Sequence, residues 1–321
     1  MSAGRWPEIR RVLSIVARLG IAAAAVVFLA RGVAWPEVRG SLRDANLTLL
    51  FAVVVVNAGM LAVKAMRLDL LLGGRPSFRT CLLAKVTASA INNVAPFRSG
   101  DVARLWMLER RAGIPKAASA AVALVEMLLE LAALAAIGMA GAIALPNERW
   151  ASALAPVLFA GAMVALFLLR RAGRTASQSA EEEPVLADGS VRGRLRGLWL
   201  RMAPGVQALG SSRSAGFAVA LSFLAWGLEA LMILLCAAAL HVPIETPLAL
   251  LVLLGINVAL VLPSLPAGAG AFEAAVALVL TLGGVAKGPA IAFAIVYHLV
   301  QVLPVTAAGA WIVLKTGVTL G

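Results

Sequence analysis

The sequence predicts an all-α polytopic integral membrane protein, and three observations support that prediction. Hydrophobic residues make up 61% of the 321 residues, and the mean hydropathy is +0.94, well above the values of a soluble domain. The apolar residues form long runs instead of the short alternating segments of a transmembrane β-barrel. Because every backbone N–H and C=O group inside a bilayer must be bonded internally, these runs are expected to be helices.

Six stretches have about the 20 apolar residues that a membrane-spanning helix requires. Residues 12–30 are too long for a signal-peptide core and lack a convincing cleavage site, so we interpret them as a retained first span. The other five predicted spans are residues 47–72, 117–145, 151–169, 217–240 and 289–314. A polar, arginine-rich region at residues 170–215 separates the fourth span from the fifth. The whole chain, residues 1–321, is treated as one transmembrane domain.

Two further apolar regions are too short to be ordinary spans. Residues 81–95 and 248–262 both run into segments rich in Pro and Gly, and a second short helical stretch follows each of them, at residues 101–112 and 271–285. Proline and glycine at this density break helices. Broken helices at membrane depth occur only where they are buried in protein or line a cavity. The sequence therefore predicts two re-entrant helical hairpins in addition to the six spans.

The distribution of positive charge predicts the topology. Arginine and lysine cluster at the N-terminus, after the second span and after the first hairpin, which favours a cytoplasmic position for these segments in a bacterial inner membrane. Both termini and the loop at residues 170–215 then also lie in the cytoplasm. Residues 47–145 and 216–315 become two repeats related by inversion, as in many transporters. The alternative is that the shared Pro-x-x-x-Gly at their hairpin tips reflects only the abundance of Pro and Gly in membrane-protein loops.

Composition also narrows the classes of partner. The net charge of +12 resembles that of a nucleic-acid-binding protein, but no helix-turn-helix, RNP or zinc-finger pattern is present. We therefore expect membrane lipids as partners, and no nucleic acid. Both cysteines, Cys81 and Cys236, fall in apolar stretches, so we expect no disulfide framework, metal site or cofactor.

Ionisable residues inside apolar segments cost several kcal/mol at mid-helix and each needs a reason. The functional interpretation places carboxylates opposite cations around a polar cavity between the repeats. Plainer explanations stand beside it: Lys64 and Arg67 snorkel to the interface, Asp101 is an N-cap, Glu273 favours a first helical turn, and His298 bonds between helices. The candidate substrate-binding residues are Asn93, Arg98, Gly100, Asp101, Arg104, Glu126, Glu130, Glu229, Gly270, Glu273 and His298.

No catalytic residues are assigned. The sequence lacks HExxH, GxSxG, a P-loop and a paired-aspartate metal motif. An integral membrane enzyme is therefore a minority interpretation.

Two motifs resemble those of the lysylphosphatidylglycerol synthase transmembrane, or flippase-like, family. The first is Asn92-Asn-Val-Ala-Pro-Phe-Arg-Ser-Gly-Asp-Val-Ala-Arg104 followed by Glu126, and the second is Leu262-Pro-Ser-Leu-Pro-Ala-Gly-Ala-Gly-Ala-Phe-Glu273. The resemblance covers roughly residues 47–314 and carries Asn93, Gly100, Arg104, Glu126, Gly270 and Glu273 over by position. Two departures concern charge: Met127 stands where an arginine usually follows the glutamate, and His298 stands where an arginine is often found.

The resemblance implies a lipid-handling membrane domain. In full-length synthases such a domain flips the aminoacylated lipid made by a C-terminal synthase domain, which we expect this chain to lack. The main hypothesis is a flippase or transporter for an anionic or zwitterionic lipid or lipid-linked intermediate. The alternatives are a non-transporting scaffold for lipid-modifying enzymes of the same pathway and, third, an integral membrane lipid-modifying enzyme.

Overall fold

The all-helical prediction is confirmed by the computed structural model, which describes residues 39–40, 43–95, 98–145, 149–182, 212–261 and 266–316. Within these residues the chain forms nine α-helices and no strand. In chain order they are α1 (Leu47–Leu71), α2 (Phe78–Val94), α3 (Ser99–Ala112), α4 (Lys116–Ala144), α5 (Arg149–Glu182), α6 (Ser212–Ala239), α7 (Thr246–Ala259), α8 (Ala271–Leu282) and α9 (Lys287–Thr316), with a 3₁₀ turn at Pro266–Gly268 before α8.

Five of the helices are long and apolar enough to cross a membrane: α1, α4, the first part of α5, α6 and α9. At 1.5 Å per residue, the shortest of these spans, the 21 residues of Arg149–Leu169, is about 31 Å long, which matches a hydrocarbon core of about 30 Å. These helices match five of the six predicted spans, and the sixth, residues 12–30, lies outside the described residues. One boundary differs. Helix α5 continues past Leu169 to Glu182, because residues 170–182 include alanine, arginine and glutamate, which favour helix.

The four remaining helices form two pairs at the predicted hairpin positions. Helices α2 and α3 pack against each other as the first hairpin, and α7 and α8 pack as the second. Helices α3, α7 and α8 contain 14, 14 and 12 residues, which makes them only about 18–21 Å long. Each is thus shorter than the hydrocarbon core of a bilayer.

The two hairpins begin at opposite faces of the helix bundle, and their tips meet inside it. Asn46 N–H, at the start of α1, donates a hydrogen bond to the carbonyl of Ala239, at the end of α6, at 2.8 Å. Helix α7 therefore begins at the face where α1 starts, whereas α2 begins at the face where α1 ends. Helix α2 of the first hairpin contacts the 3₁₀ turn at the tip of the second hairpin.

The same order of elements occurs twice in the chain. Helices α1 to α4 run long, short, short, long, and so do α6 to α9. The inverted-repeat relationship between residues 47–145 and 216–315 stays a prediction, as does the cytoplasmic position of either face.

Close helix packing in the first hairpin depends on a glycine. A Cβ atom at Gly100 of α3 would collide with the carbonyl oxygen of Ala88 and lie 2.7 Å from Asn92 Oδ1, both in α2. Helix α2 in turn packs against α9, where a Cβ atom at Gly309 would collide with Ala90. These glycines thus allow α2 to pack closely against both α3 and α9.

Candidate functional site

A cavity of about 300 Å³ lies where the tips of the two hairpins meet. Its wall includes parts of the first hairpin (Lys85 to Asn93, and Arg98 to Arg104) and of the second (Ile256 to Leu260, Ala267 and Phe272). Helices α1, α4, α6 and α9 complete it with Lys64, Glu130, Glu229 and Gln301 among others. Broken helices in the interior of the bundle thus enclose a polar space, as expected for non-helical backbone at membrane depth.

Most of the candidate residues come together here. Seven of the eleven line the cavity: Asn93, Arg98, Asp101, Arg104, Glu130, Glu229 and His298. The other four lie behind the wall, linked to it by hydrogen bonds. Glu126 binds Arg104, Glu273 binds His298, and Gly100 N–H donates to Asn92 Oδ1 at 2.8 Å. Gly270 N–H donates to Glu273 Oε2 at 2.7 Å.

Glu126 is the centre of a buried charge cluster. Only 3% of this residue is exposed, and its two carboxylate oxygens contact cations from three helices. Oε2 accepts a hydrogen bond from Arg104 Nη1 of α3 at 2.6 Å, and Oε1 accepts one from Lys85 Nζ of α2 at 2.8 Å. Arg67 Nη2 of α1 lies 3.6 Å from Oε1. A carboxylate can remain charged in such a buried position only with this degree of pairing.

Arg67 does not snorkel to the interface. Its exposed fraction is 0%, and it donates hydrogen bonds from Nη1 to Ser222 Oγ at 2.8 Å and from Nη2 to Glu130 Oε1. Glu130 lies one turn from Glu126 on α4, as the spacing predicted, and its backbone carbonyl accepts a hydrogen bond from Trp226 Nε1 at 3.0 Å. Arg67 therefore ties α1 to both α4 and α6.

This cluster is not electrically balanced. It contains three cations, Arg67, Lys85 and Arg104, and two carboxylates, Glu126 and Glu130. One positive charge is left uncompensated, and two of the three cations, Lys85 and Arg104, line the cavity. The buried Nε of Arg104 has no hydrogen-bond partner among the described residues. The wall next to α2 and α3 can therefore accept an anionic group.

A second polar group lines the wall beside α6 and α9. Lys64 Nζ lies 4.0 Å from Glu229 Oε2 and 5.5 Å from the centre of the Trp226 ring. Gln301 Nε2 lies 3.4 Å from Glu229 Oε1 and donates to Tyr297 Oη at 2.9 Å. These contacts leave Glu229 more weakly paired than Glu126.

His298 and Glu273 are hydrogen-bonded to each other at the second hairpin. Nδ1 of His298 lies 2.6 Å from Glu273 Oε1, and Nε2 lies 3.1 Å from the carbonyl oxygen of Ala267 in the 3₁₀ turn. The Phe272 ring stacks on the imidazole at 4.3 Å. Ala267 has φ of +59°, a left-handed conformation that costs a residue with a Cβ roughly 1–2 kcal/mol. The histidine thus stabilises a strained tip, a stronger role than an isolated interhelical hydrogen bond.

The tip of the first hairpin carries the remaining candidates. Arg98, with φ of +52°, is the N-cap of α3, so the interpretation of Asp101 as the N-cap is wrong. Asp101 lies in the first turn instead, where it accepts a hydrogen bond from Arg98 Nε at 3.1 Å. The backbone at residue 98 turns left-handed, which places the start of the helix at Ser99. Asn93 donates to Thr306 Oγ1 of α9 at 2.9 Å.

Lys85 is the main site residue that the candidate set omits. It lies in a segment interpreted only as short and apolar. A lone lysine between Ala84 and Val86 is nevertheless an ionisable residue in an apolar segment, the same criterion that identified Glu126. The amides Asn57, Asn92 and Gln301 also line the cavity, and no spacing rule indicates them. Among the described residues, no group of three or more His, Cys, Asp or Glu side chains could hold a metal ion.

The comparisons with known proteins agree with the resemblance found in the two motifs. No curated protein matches the chain. The family described as lysylphosphatidylglycerol synthase TM region matches residues 15–309, which include every residue that lines the cavity. The chain therefore belongs to the lysylphosphatidylglycerol synthase TM region family.

Proposed function

We propose that this membrane protein is a flippase-like lipid transporter that binds a phosphate-bearing headgroup, anionic or zwitterionic, in the cavity between the hairpin tips. The observation that carries the proposal is the uncompensated positive charge of the Glu126 cluster, two of whose cations line the cavity. A charge buried in the interior of a membrane protein is costly, so its retention calls for a functional reason.

A lipid phosphodiester fits this position in charge and in hydrogen bonding. It carries one negative charge, which would compensate the cluster. Arginine and lysine bind phosphate through short charge-assisted hydrogen bonds, and Lys85 and Arg104 both line the cavity. The amides and Glu229 on the other walls of the cavity would then face the rest of the headgroup.

Glu126 acts on the headgroup indirectly in this proposal. The carboxylate does not line the cavity, and it is enclosed by Arg67, Lys85 and Arg104. We assign it as a positioning residue that orients Lys85 and Arg104 towards the bound phosphate. Without it, three cations would face one another and the two cavity-lining side chains would move apart.

The arrangement of the hairpins suits alternating access. Transporters built from two repeats bind their substrate near the bilayer midplane, between discontinuous helices, and open the site to each side in turn. Here the two hairpins begin at opposite faces and the cavity lies between their tips. Movement of either hairpin relative to the long helices would expose the headgroup to one face.

The test is leaflet exchange of fluorescent phospholipids in liposomes that contain the purified protein, with a panel of headgroups. We expect headgroup-dependent exchange that Glu126→Ala and Arg104→Ala abolish. The matched control is Glu109→Ala, because Glu109 pairs with Lys116 at 2.9 Å, its side chain is 39% exposed, and it does not line the cavity. This variant should exchange lipid like the wild type.

Two results would contradict the proposal. Full activity of both cavity variants would show that the site is assigned wrongly. Absence of exchange for every headgroup, in protein whose helicity and unfolding are normal, would favour the scaffold hypothesis. In that case deletion of residues 183–211, in the arginine-rich region between α5 and α6, should remove function.

A further inference from the structure

We propose that the Glu273–His298 pair is a proton-binding site that couples proton movement to the release of the second hairpin tip. The inference rests on the proposed function, since it names the ion that would drive or gate lipid translocation. It depends on a different part of the cavity wall from the phosphate site.

The geometry requires a shared proton. Both ring nitrogens of His298 face hydrogen-bond acceptors: the Glu273 carboxylate at 2.6 Å from Nδ1 and the Ala267 carbonyl at 3.1 Å from Nε2. A carbonyl only accepts, so Nε2 carries a proton. The short contact between Nδ1 and the carboxylate then needs a second proton, whether it resides on the imidazole or on the carboxyl group.

That second proton has a route to water. His298 lines the cavity, whose edge includes the exposed side chains of Arg98 and Asp101. The proton can therefore pass from Nδ1 or Glu273 to water in the cavity without passing through the apolar core. After its loss the Nδ1 lone pair would face a carboxylate at hydrogen-bond distance, which is repulsive.

Loss of the proton would act on the hairpin tip. The pair joins α9 to the 3₁₀ turn through Ala267 and to the start of α8 through the Gly270 N–H bond. Ala267 is held in a left-handed conformation, so its contact with His298 resists relaxation of the turn. The turn also contacts α2 of the first hairpin. The protonated pair therefore keeps the two tips together, and the deprotonated pair releases them.

Other charged groups share the space around His298. Helix α9 packs against α1, α2, α6 and α8, which present Lys64, Lys85, Glu229 and Glu273 respectively. The rest of the cavity wall adds Arg98, Asp101, Arg104 and Glu130. Among the described residues, Glu273 is the only carboxylate within 4.0 Å of a His298 ring nitrogen, so the assignment of the proton to this pair can be tested at one position.

Glu273→Gln is a close mimic of the protonated pair. The glutamine oxygen can accept the Gly270 N–H bond, and its amide N–H can donate to Nδ1 of a neutral imidazole. Nε2–H still donates to Ala267. Every hydrogen bond of the pair is thus retained, but no shared proton remains to be lost.

Isotope-edited NMR tests the proton site independently of transport. The chain contains only two histidines, and the other, His241, is exposed in the turn after α6, so His241→Gln assigns the two imidazole signals. In ¹⁵N-histidine-labelled protein in nanodiscs, we expect a proton at Nε2 of His298 and a shared proton at Nδ1 that is lost as pH rises. In Glu273→Gln, Nδ1 should be an unprotonated acceptor across the same pH range, with Nε2 still protonated.

Exchange measurements test the coupling. In liposomes, we expect wild-type exchange to depend on pH by up to about tenfold per unit, the limit for one proton. We expect acidification or alkalinisation of the lumen to accompany exchange. Glu273→Gln should exchange lipid slowly, without pH dependence and without proton movement. Glu109→Gln, an exposed carboxylate off the cavity, should retain both properties.

The outcomes separate this inference from the proposed function. Absence of a shared, pH-dependent proton between Nδ1 of His298 and Glu273 in the wild type, or imidazole signals whose pH dependence is unchanged by Glu273→Gln, overturns the proton site. Exchange that is identical at all pH values in both proteins overturns the coupling and leaves the transporter proposal intact. No exchange at all, with the expected NMR signature present, refutes transport and with it the coupling.

Discussion

Replacement of Arg67 by methionine should destabilise the protein more than the loss of any surface charge. Arg67 is fully buried, donates to Ser222 and Glu130 and lies 3.6 Å from Glu126. Methionine approximates its aliphatic stem but makes none of these bonds. Breaking a buried ion pair by removal of one partner costs about 3–5 kcal/mol, because the other charge stays buried without compensation.

The surroundings of the two carboxylates place the expected loss near 3 kcal/mol, the lower end of that range. Glu126 keeps Lys85 and Arg104 as partners. The side chain of Glu130 is 30% exposed, so part of its charge can be solvated from the cavity. Arg67→Met/Glu130→Gln should recover most of the loss, since the double variant leaves no orphaned carboxylate.

The assay is SDS-induced unfolding of purified protein in mixed micelles, followed by circular dichroism. Glu109→Gln is the control, because it removes an exposed pair with Lys116 and such pairs contribute about 0–1 kcal/mol. A loss below about 1 kcal/mol for Arg67→Met would refute the reasoning, since it would mean that the guanidinium reaches water. A double variant no more stable than the single would show that Glu130 is not the partner that matters.

Two further predictions concern the first hairpin. Gly100→Ala should lower the free energy of unfolding by about 1–3 kcal/mol, the range for overpacking, because its Cβ would collide with the α2 backbone. In the same assay the control Gly59→Ala, with nothing within 4 Å of its Cβ, should be neutral or stabilising. Equal effects of the two substitutions would contradict the packing argument. Lys85→Met should remove the uncompensated charge and abolish exchange of anionic phospholipids, whereas Lys85→Arg should retain it; unimpaired exchange by Lys85→Met would exclude Lys85 from the headgroup site.

The spans and hairpins could be predicted because the bilayer imposes simple constraints on sequence. A helix such as α4 must be long and apolar, and a segment such as residues 248–262 is too short to cross and is followed by prolines and glycines. The end of α5 could not be placed in this way. The last residues of α5 are polar, so hydropathy does not show where the helix ends. Only helix propensity bears on its end.

The charged part of the site was partly predictable for a related reason. A buried carboxylate such as Glu126 is costly enough to stand out in an apolar helix such as α4. The uncharged lining was not predictable, because an asparagine such as Asn57 costs little and its direction depends on how α1 packs against α9. Lys85 is also an ionisable residue inside an apolar segment, so the same cost indicates it. The segment as a whole is short and mostly apolar, which hides a single lysine.

Glu126 and Glu130 show where spacing stops being informative. Their separation by one turn of α4 places both on one face, and the structure agrees. Yet Glu126 is enclosed by cations from three helices, whereas Glu130 lines the cavity and pairs with Arg67. This difference arises because the first hairpin brings Lys85 and Arg104 to the level of Glu126, one turn from Glu130. The position of that hairpin depends in turn on glycine contacts with α2, so the roles of two neighbouring carboxylates are decided by packing on helices distant from them in sequence.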